Sequence, residues 1–172
     1  MKIAISGGAS QGKSTLVNAL AKTTQLQDYI FKTNLTRDLQ AAGIPINELG
    51  TSVTQLYVMS KHYENLNIPG NVVLDRCALD GLAYSMFFYS RIEMPLQDIL
   101  RRMFEMMVFQ YDKIFYVVPE LELVDDGQRS TDKTFFSAVN FHFESLIRDY
   151  KLNVIRVSGS VDERVQLVLN NL

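Results

Sequence analysis

Gly7, Gly12, Lys13 and Ser14 stand at the spacing GxxxxGK[ST] within the stretch GGASQGKST. Small residues let the backbone N–H groups of such a loop curl around phosphate oxygens, and a helix opening at Lys13 would add the positive end of its dipole. The chemistry is the binding of a nucleotide polyphosphate by a P-loop. On this reading Gly7, Gly8, Ala9, Ser10, Gln11, Gly12, Lys13, Ser14 and Thr15 cradle ATP. Lys13 contacts the β and γ phosphates, and Ser14 binds Mg²⁺.

A second set of residues bears on what happens to the phosphate. Asp75 closes the apolar run NVVLD and is followed by Arg76. A carboxylate there can reach the metal or take a proton from an acceptor hydroxyl. ATP hydrolases usually follow this Asp with a second acid that orients water, whereas a cation suits an anionic acceptor or the phosphoryl group in transfer. The polar loop VDDGQRSTDK carries Arg129 and Lys133 and could close over the phosphates, with Arg129 on the developing charge. Arg37, in KTNLTRDLQ, would hold an acceptor phosphate bidentately. Tyr84, Phe87, Phe88 and Tyr89 offer one or two rings for stacking on a base, Tyr84 foremost, with core packing the default for most of them. His62 and His142 lack carboxylate partners at metal spacing and read as surface or capping groups, and Cys77 reads as an unreactive packing residue.

These groups need a scaffold that gathers them. KIAIS (2–6), DYIFKT (28–33), NVVLD (71–75), DKIFYVVP (112–119) and NVIRVS (153–158) read as five strands. Helical spacing is predicted over 13–23, 36–43, 47–66, 78–91, 95–110, 132–150 and the closing VDERVQLVLNNL, with Asn47 as the N-cap of the third and Leu56, Met59 and Tyr63 on one face of it. Gly81 weakens the fourth. Apolar strands alternating with helices predict an α/β fold: a five-stranded, mostly parallel sheet with helices on both faces, in three layers. Ligands in such sheets bind at the carboxyl ends of the strands, where the P-loop, Asp75-Arg76 and the DDGQRS loop all fall.

Composition narrows the classes. With 172 residues, 47% hydrophobic, the chain reads as a single domain over 1–172, with an acceptor-side region near 34–66 and a lid-like loop near 119–133. A net charge of -2 offers no global field for nucleic acid or anionic lipid. One cysteine excludes an internal disulfide and a multi-cysteine zinc site. The opening MKIAISGGAS has no signal-type apolar core, and no run reaches the roughly 18 apolar residues of a membrane span. The expectation is a soluble, cytoplasmic, unprocessed protein with no nucleic-acid or membrane partner, with a homodimer left open.

GGASQGKST, VVLDRCALDGLAY and PELELVDDGQRSTDK together resemble the P-loop nucleoside and nucleotide kinase group. Within it the likeness is to the small AAA-type ATPase/kinase family related to ribosylnicotinamide kinases and to thymidylate-kinase-like enzymes, over nearly the whole chain. The resemblance implies a three-layer P-loop NTPase fold, Mg-ATP as phosphoryl donor, an Asp of the DR type at Asp75-Arg76 and a lid arginine at Arg129. Lys133 stands alone where many relatives carry further lid arginines. Three functions follow. The first is a kinase of a nucleoside monophosphate, of the deoxynucleotide series, with Arg37 and Arg76 on the acceptor phosphate. The second is a kinase of a nucleoside such as ribosylnicotinamide, with Asp75 as base for the 5′ hydroxyl. The third, a switch or motor ATPase, has against it the missing acid after Asp75 and the absence of a guanine-reading NKxD motif.

Overall fold

The computed structural model describes residues 1–33, 35–119 and 133–172. Five strands, β1 (Lys2–Ser6), β2 (Ile30–Lys32), β3 (Val72–Asp75), β4 (Lys113–Val117) and β5 (Val154–Val157), form one sheet in the order β2-β3-β1-β4-β5. Every neighbouring pair is parallel, and β1 lies between β3 and β4, with Ile5 opposite both Asp75 and Phe115. Among the described residues, seven α-helices lie between and after the strands: α1 (Lys13–Leu20), α2 (Leu35–Ala41), α3 (Ser52–Leu66), α4 (Ala78–Phe87), α5 (Met94–Val108), α6 (Lys133–Asp149) and α7 (Val161–Leu169). The expected three-layer α/β architecture is the one observed.

The strands' period of two divides the interior. Ala4, Val72, Leu74, Ile114 and Tyr116 face one layer, where α3, α4, α5 and α6 close over them with Met59, Leu82, Phe104 and Phe143. Ile3, Ile5, Val73, Phe115 and Val117 face the other, against Leu16, Val17 and Leu20 of α1 and Val165 and Val168 of α7. Burying both faces stabilises the sheet by about 1.5–3 kcal/mol for each fully buried large aliphatic or aromatic side chain. It also leaves the carboxyl edge of the central strands as the place where polar loops meet.

Two local expectations change. Asn47 does not cap α3; it takes a left-handed conformation (φ 53°) and opens a short 3₁₀ turn over Asn47–Leu49. The cap is Thr51, whose Oγ1 accepts from Thr54 N while Thr54 Oγ1 accepts from Thr51 N, a reciprocal capping box. With that phase, Met59 is buried while Leu56 and Tyr63, expected on the same face, are 38% and 46% exposed, and His62 and Leu66 join Met59 on the inward side. The helix expected over 78–91 ends at Phe87 and continues as a 3₁₀ turn over Tyr89–Arg91. Gly81 serves α4 by what it leaves out: a Cβ there would lie 2.3 Å from Met59 Sδ and 3.1 Å from His62 Cδ2, so the glycine is what lets α3 approach.

Candidate active site

The P-loop joins the central strand to α1. Gly7 takes φ 139°, and a Cβ there would lie 2.6 Å from the Val117 carbonyl oxygen at the end of β4, so this turn requires glycine. Gly12, left-handed at φ 77°, is the N-cap of α1; it supplies no side-chain acceptor, and the first turn holds no acidic residue. No side-chain cap or acidic residue therefore competes with an anion at the start of α1, in the field of the helix dipole. Lys13 is buried and its ammonium donates to the Gly8 carbonyl, so the lysine lies over its own loop. Ser10 is also buried, with an Oγ that has no hydrogen-bond partner, as fits a cradle whose partner is a ligand. Gln11 is buried, while Thr15 is exposed at the outer side of α1.

Parallel pairing of β1 with β3 sets Asp75 beside this loop, and Ser14 Oγ donates to Asp75 Oδ2 at 2.8 Å. These two hard oxygen donors fit Mg²⁺, which takes one or two carboxylates and keeps the remaining positions for water and phosphate. Arg76 follows in a left-handed conformation (φ 82°) that arginine adopts only under constraint. The constraint is visible on both sides: its N–H continues the sheet by donating to the Ile5 carbonyl (2.9 Å), and its guanidinium donates to Asp80 Oδ1 (3.0 Å).

Asp80 is the hub. It is 2% exposed and lies at the third position of α4, where Oδ2 accepts from Cys77 N (3.1 Å) as a capping-box carboxylate does. The same side chain accepts from Ser6 Oγ (2.7 Å) and Gly7 N (3.4 Å) at the start of the P-loop. One carboxylate thus joins the phosphate loop, the N-terminus of α4 and Arg76. Burial opposes the Arg76 charge, and the negative potential of Tyr84, Asp80 and Asp75 more than offsets it, so the guanidinium is held protonated more firmly than usual. Cys77 is buried among the core residues, where burial and the neighbouring Asp80 push its thiol up.

Beyond Arg76 opens a cleft walled by Leu35, Leu39, Ile46, Val58 and Phe88, with Gln55, His62, Arg76, Asp80 and Tyr84 as its main polar groups. Arg76 lies 5.1 Å from the centre of the Tyr84 ring, a cation–π contact, and Tyr84 packs edge-on against Phe143. Phe87, Phe88 and Phe135 pack on one another as core, as expected for most of that aromatic group. His62 is a correction to the surface assignment: it is 2% exposed, lines the cleft, and its Nε2 has no hydrogen-bond partner. Burial, aided by Arg76 and opposed by Asp80, pushes its pKa down to about 4, so the ring is neutral at physiological pH.

Of the residues singled out from sequence, the fold brings together Gly7, Gly8, Ala9, Ser10, Gln11, Gly12, Lys13, Ser14, Asp75, Arg76 and Tyr84 at this edge of the sheet. Arg37 is exposed on α2; its neighbours Thr36 and Leu39 line the cleft and it does not. Lys133 is exposed at the first residue of α6, and Arg129 lies outside the described residues. Four residues were not foreseen: Asp80, His62, Gln55 and Arg164. Arg164, buried on α7, donates to Gln11 O and Gly159 O, both at 2.7 Å, and so ties the P-loop to the β5–α7 turn. The signal for Asp80 was present: it stands four residues after Arg76 and three after Cys77, the spacings of a helical ion pair and of a capping box.

Comparison with known proteins is consistent with this geometry. A family model described as an AAA domain matches residues 2–164. No curated protein sequence gives a significant match. Among solved structures, deoxyadenosine kinase from M. mycoides, with products dCMP and a flexible dCDP bound, superposes with a TM-score of 0.71 at 16% identity, over 99% of this chain and 97% of that one. NadR in complex with NR gives 0.76 at 20% identity over 98% of this chain, which spans 50% of the NadR chain. Thymidylate kinase from Candida albicans gives 0.64 at 15% identity, over 98% and 89%. At such identities the likeness is one of fold. Among the described residues no helix is long and apolar enough to cross a membrane.

Proposed function

The chain belongs to the AAA domain family matched over its residues 2–164, and from that premise we propose that it transfers the γ-phosphoryl group of ATP to the 5′ hydroxyl of a nucleoside. The observation that carries this reading is the charge of the cleft. Among the described residues lining it, Arg76 is the one lysine or arginine, and it is already ion-paired with Asp80. A monophosphate acceptor brings close to two negative charges, and burying them requires cations that are not neutralised already. A neutral nucleoside requires none; apolar walls take its base, and Gln55, His62 and Tyr84 offer hydrogen-bonding partners.

Ser14 and Asp75 would hold Mg²⁺, which supplies charge neutralisation on the phosphate oxygens. The chain's own residues do the rest. Loop N–H groups and Lys13, released from Gly8, hold the polyphosphate. The Asp75 oxygen not engaged by Ser14 accepts the 5′ hydroxyl proton as the new O–P bond forms and the bond to the β–γ bridging oxygen breaks, leaving ADP. Arg76, on the acceptor side, faces the charge that develops on the moving phosphoryl group.

The monophosphate reading, deoxynucleotides included, retains one support: Arg37 is adjacent to Thr36, a lining residue of the cleft. A panel of nucleosides and nucleoside monophosphates with Mg-ATP, scored for ADP release, separates the readings. Turnover with nucleosides and none with monophosphates is the expected result. Turnover with monophosphates alone moves the assignment to the second reading, and equal ADP release with no acceptor returns it to an ATPase.

A further inference from the structure

α6 meets the P-loop at one point. A Cβ built on Gly8 would lie 2.5 Å from Asn140 Oδ1 and 3.4 Å from both Asn140 Cγ and Phe136 Cε2, so the Asn140 carboxamide rests on the Gly8 backbone. Asn140 Oδ1 is buried and has no hydrogen-bond partner. Buried polar atoms without partners are rare, and one that lies against a phosphate loop points to a partner supplied by the ligand. A residue that only filled space there would be apolar, as Val139 and Phe143 are on the buried face of the same helix.

Gly8 also identifies which phosphate is nearby. Its carbonyl accepts the Lys13 ammonium, and the N–H of its neighbour Gly7 is turned to Asp80 at 3.4 Å, on the acceptor side. Gly12 stands at the opposite end of the loop, where α1 begins. The Gly8 end therefore faces the acceptor, and the phosphate facing an acceptor is the one transferred. A half turn of the carboxamide, a soft torsion, presents Nδ2 as a donor where Oδ1 now lies, and an ionised phosphate oxygen accepts from it.

We propose that Asn140 is a binding residue for the terminal phosphate of the donor nucleotide, reading ATP against ADP; this rests on the phosphoryl-transfer reading above. A hydrogen bond to a charged group corresponds to roughly a ten- to hundredfold difference in affinity. The test is calorimetric binding of ADP and of a non-hydrolysable ATP analogue, each with Mg²⁺, to wild type, Asn140→Ala and Asn140→Asp. Asn140→Ala is expected to leave ADP affinity within about twofold and to weaken the analogue about tenfold or more. Asn140→Asp weakens the analogue further, because a carboxylate repels the terminal phosphate. Should Asn140→Ala not fold, as judged by its melting transition, Asn140→Ser gives the same ratio with less lost volume. Parallel losses for both nucleotides, or no loss for either, would overturn the assignment. A wild type that binds neither nucleotide overturns the donor-site reading itself, an outcome separate from any effect at Asn140.

Discussion

Ser14 and Asp75, 61 residues apart in the chain, are joined by a 2.8 Å hydrogen bond from Ser14 Oγ to Asp75 Oδ2. The bond forms because Ser14 lies in the first turn of α1, at the end of the P-loop, while Asp75 ends the strand paired with β1. Two oxygen donors so placed would act as one unit toward Mg²⁺, and residues that act as a unit are not additive when removed. Ser14→Ala and Asp75→Asn are each expected to raise the Mg²⁺ concentration for half-maximal turnover about tenfold, on the scale of one charge-assisted contact. The double variant should be little worse than the poorer single one. A metal titration of initial rates checks this, and full additivity would separate the two residues.

Lys13 is the one charged side chain of the P-loop, and its ammonium donates to the Gly8 carbonyl of the same loop. Lys13→Ala should lower kcat/KM by about a hundredfold or more, the scale of losing one preorganised charge stabiliser at a reacting group. The fold should persist, since the surrounding Leu16, Val17 and Leu20 are untouched. Circular dichroism alongside steady-state kinetics distinguishes the two effects.

Buried Asp80 pairs with the partly buried Arg76 while also accepting from Ser6, Gly7 and Cys77. Asp80→Ala leaves a largely buried guanidinium and several donors without partners, and is expected to destabilise the fold by about 3–5 kcal/mol. Asp80→Asn keeps the shape and part of the hydrogen bonding and should cost less. Urea unfolding of the two variants tests the order; equal costs would mean that the charge on Asp80 contributes nothing.

His62 predicts a pH dependence. Its folded pKa is pushed down to about 4 from an ordinary value of 6.5, by burial first. Above about pH 6.5 the ring is neutral in both folded and unfolded chains, and it makes no difference to stability. As pH falls from about 6.5 toward 4, the unfolded chain binds a proton that the folded one refuses. Stability then drops, by up to about 3 kcal/mol from this residue alone. Replacing His62 by Gln should flatten that part of the profile of urea midpoint against pH; an unchanged slope would remove His62 as its cause.

Much of this was legible in the chain as written. GxxxxGK[ST] between an apolar strand and a helix requires a phosphate loop because its chemistry is local: consecutive backbone N–H groups, small side chains and one lysine. The five strands and the parallel sheet were legible for a similar reason, since hydrophobic period and segment length act over short stretches. Boundaries at α3 were not, because Asn47 and Thr51 are both acceptable caps, and only packing of Met59 and His62 beside Gly81 selects the phase.

What only the tertiary structure decided is which distant groups share one space. Asp80 stands within helical reach of Arg76 in the chain, but its simultaneous contacts with Ser6 and Gly7, 74 and 73 residues away, depend on β1 and α4 converging at the P-loop. Arg37 looked equally suited to an acceptor, yet α2 turns it outward while Thr36 and Leu39 line the cleft. The difference is physical. The phosphate loop is written in contiguous backbone, whereas the cleft beyond Arg76 is assembled from α2, α3 and α4, whose relative phase is set by core contacts among residues far apart in the chain.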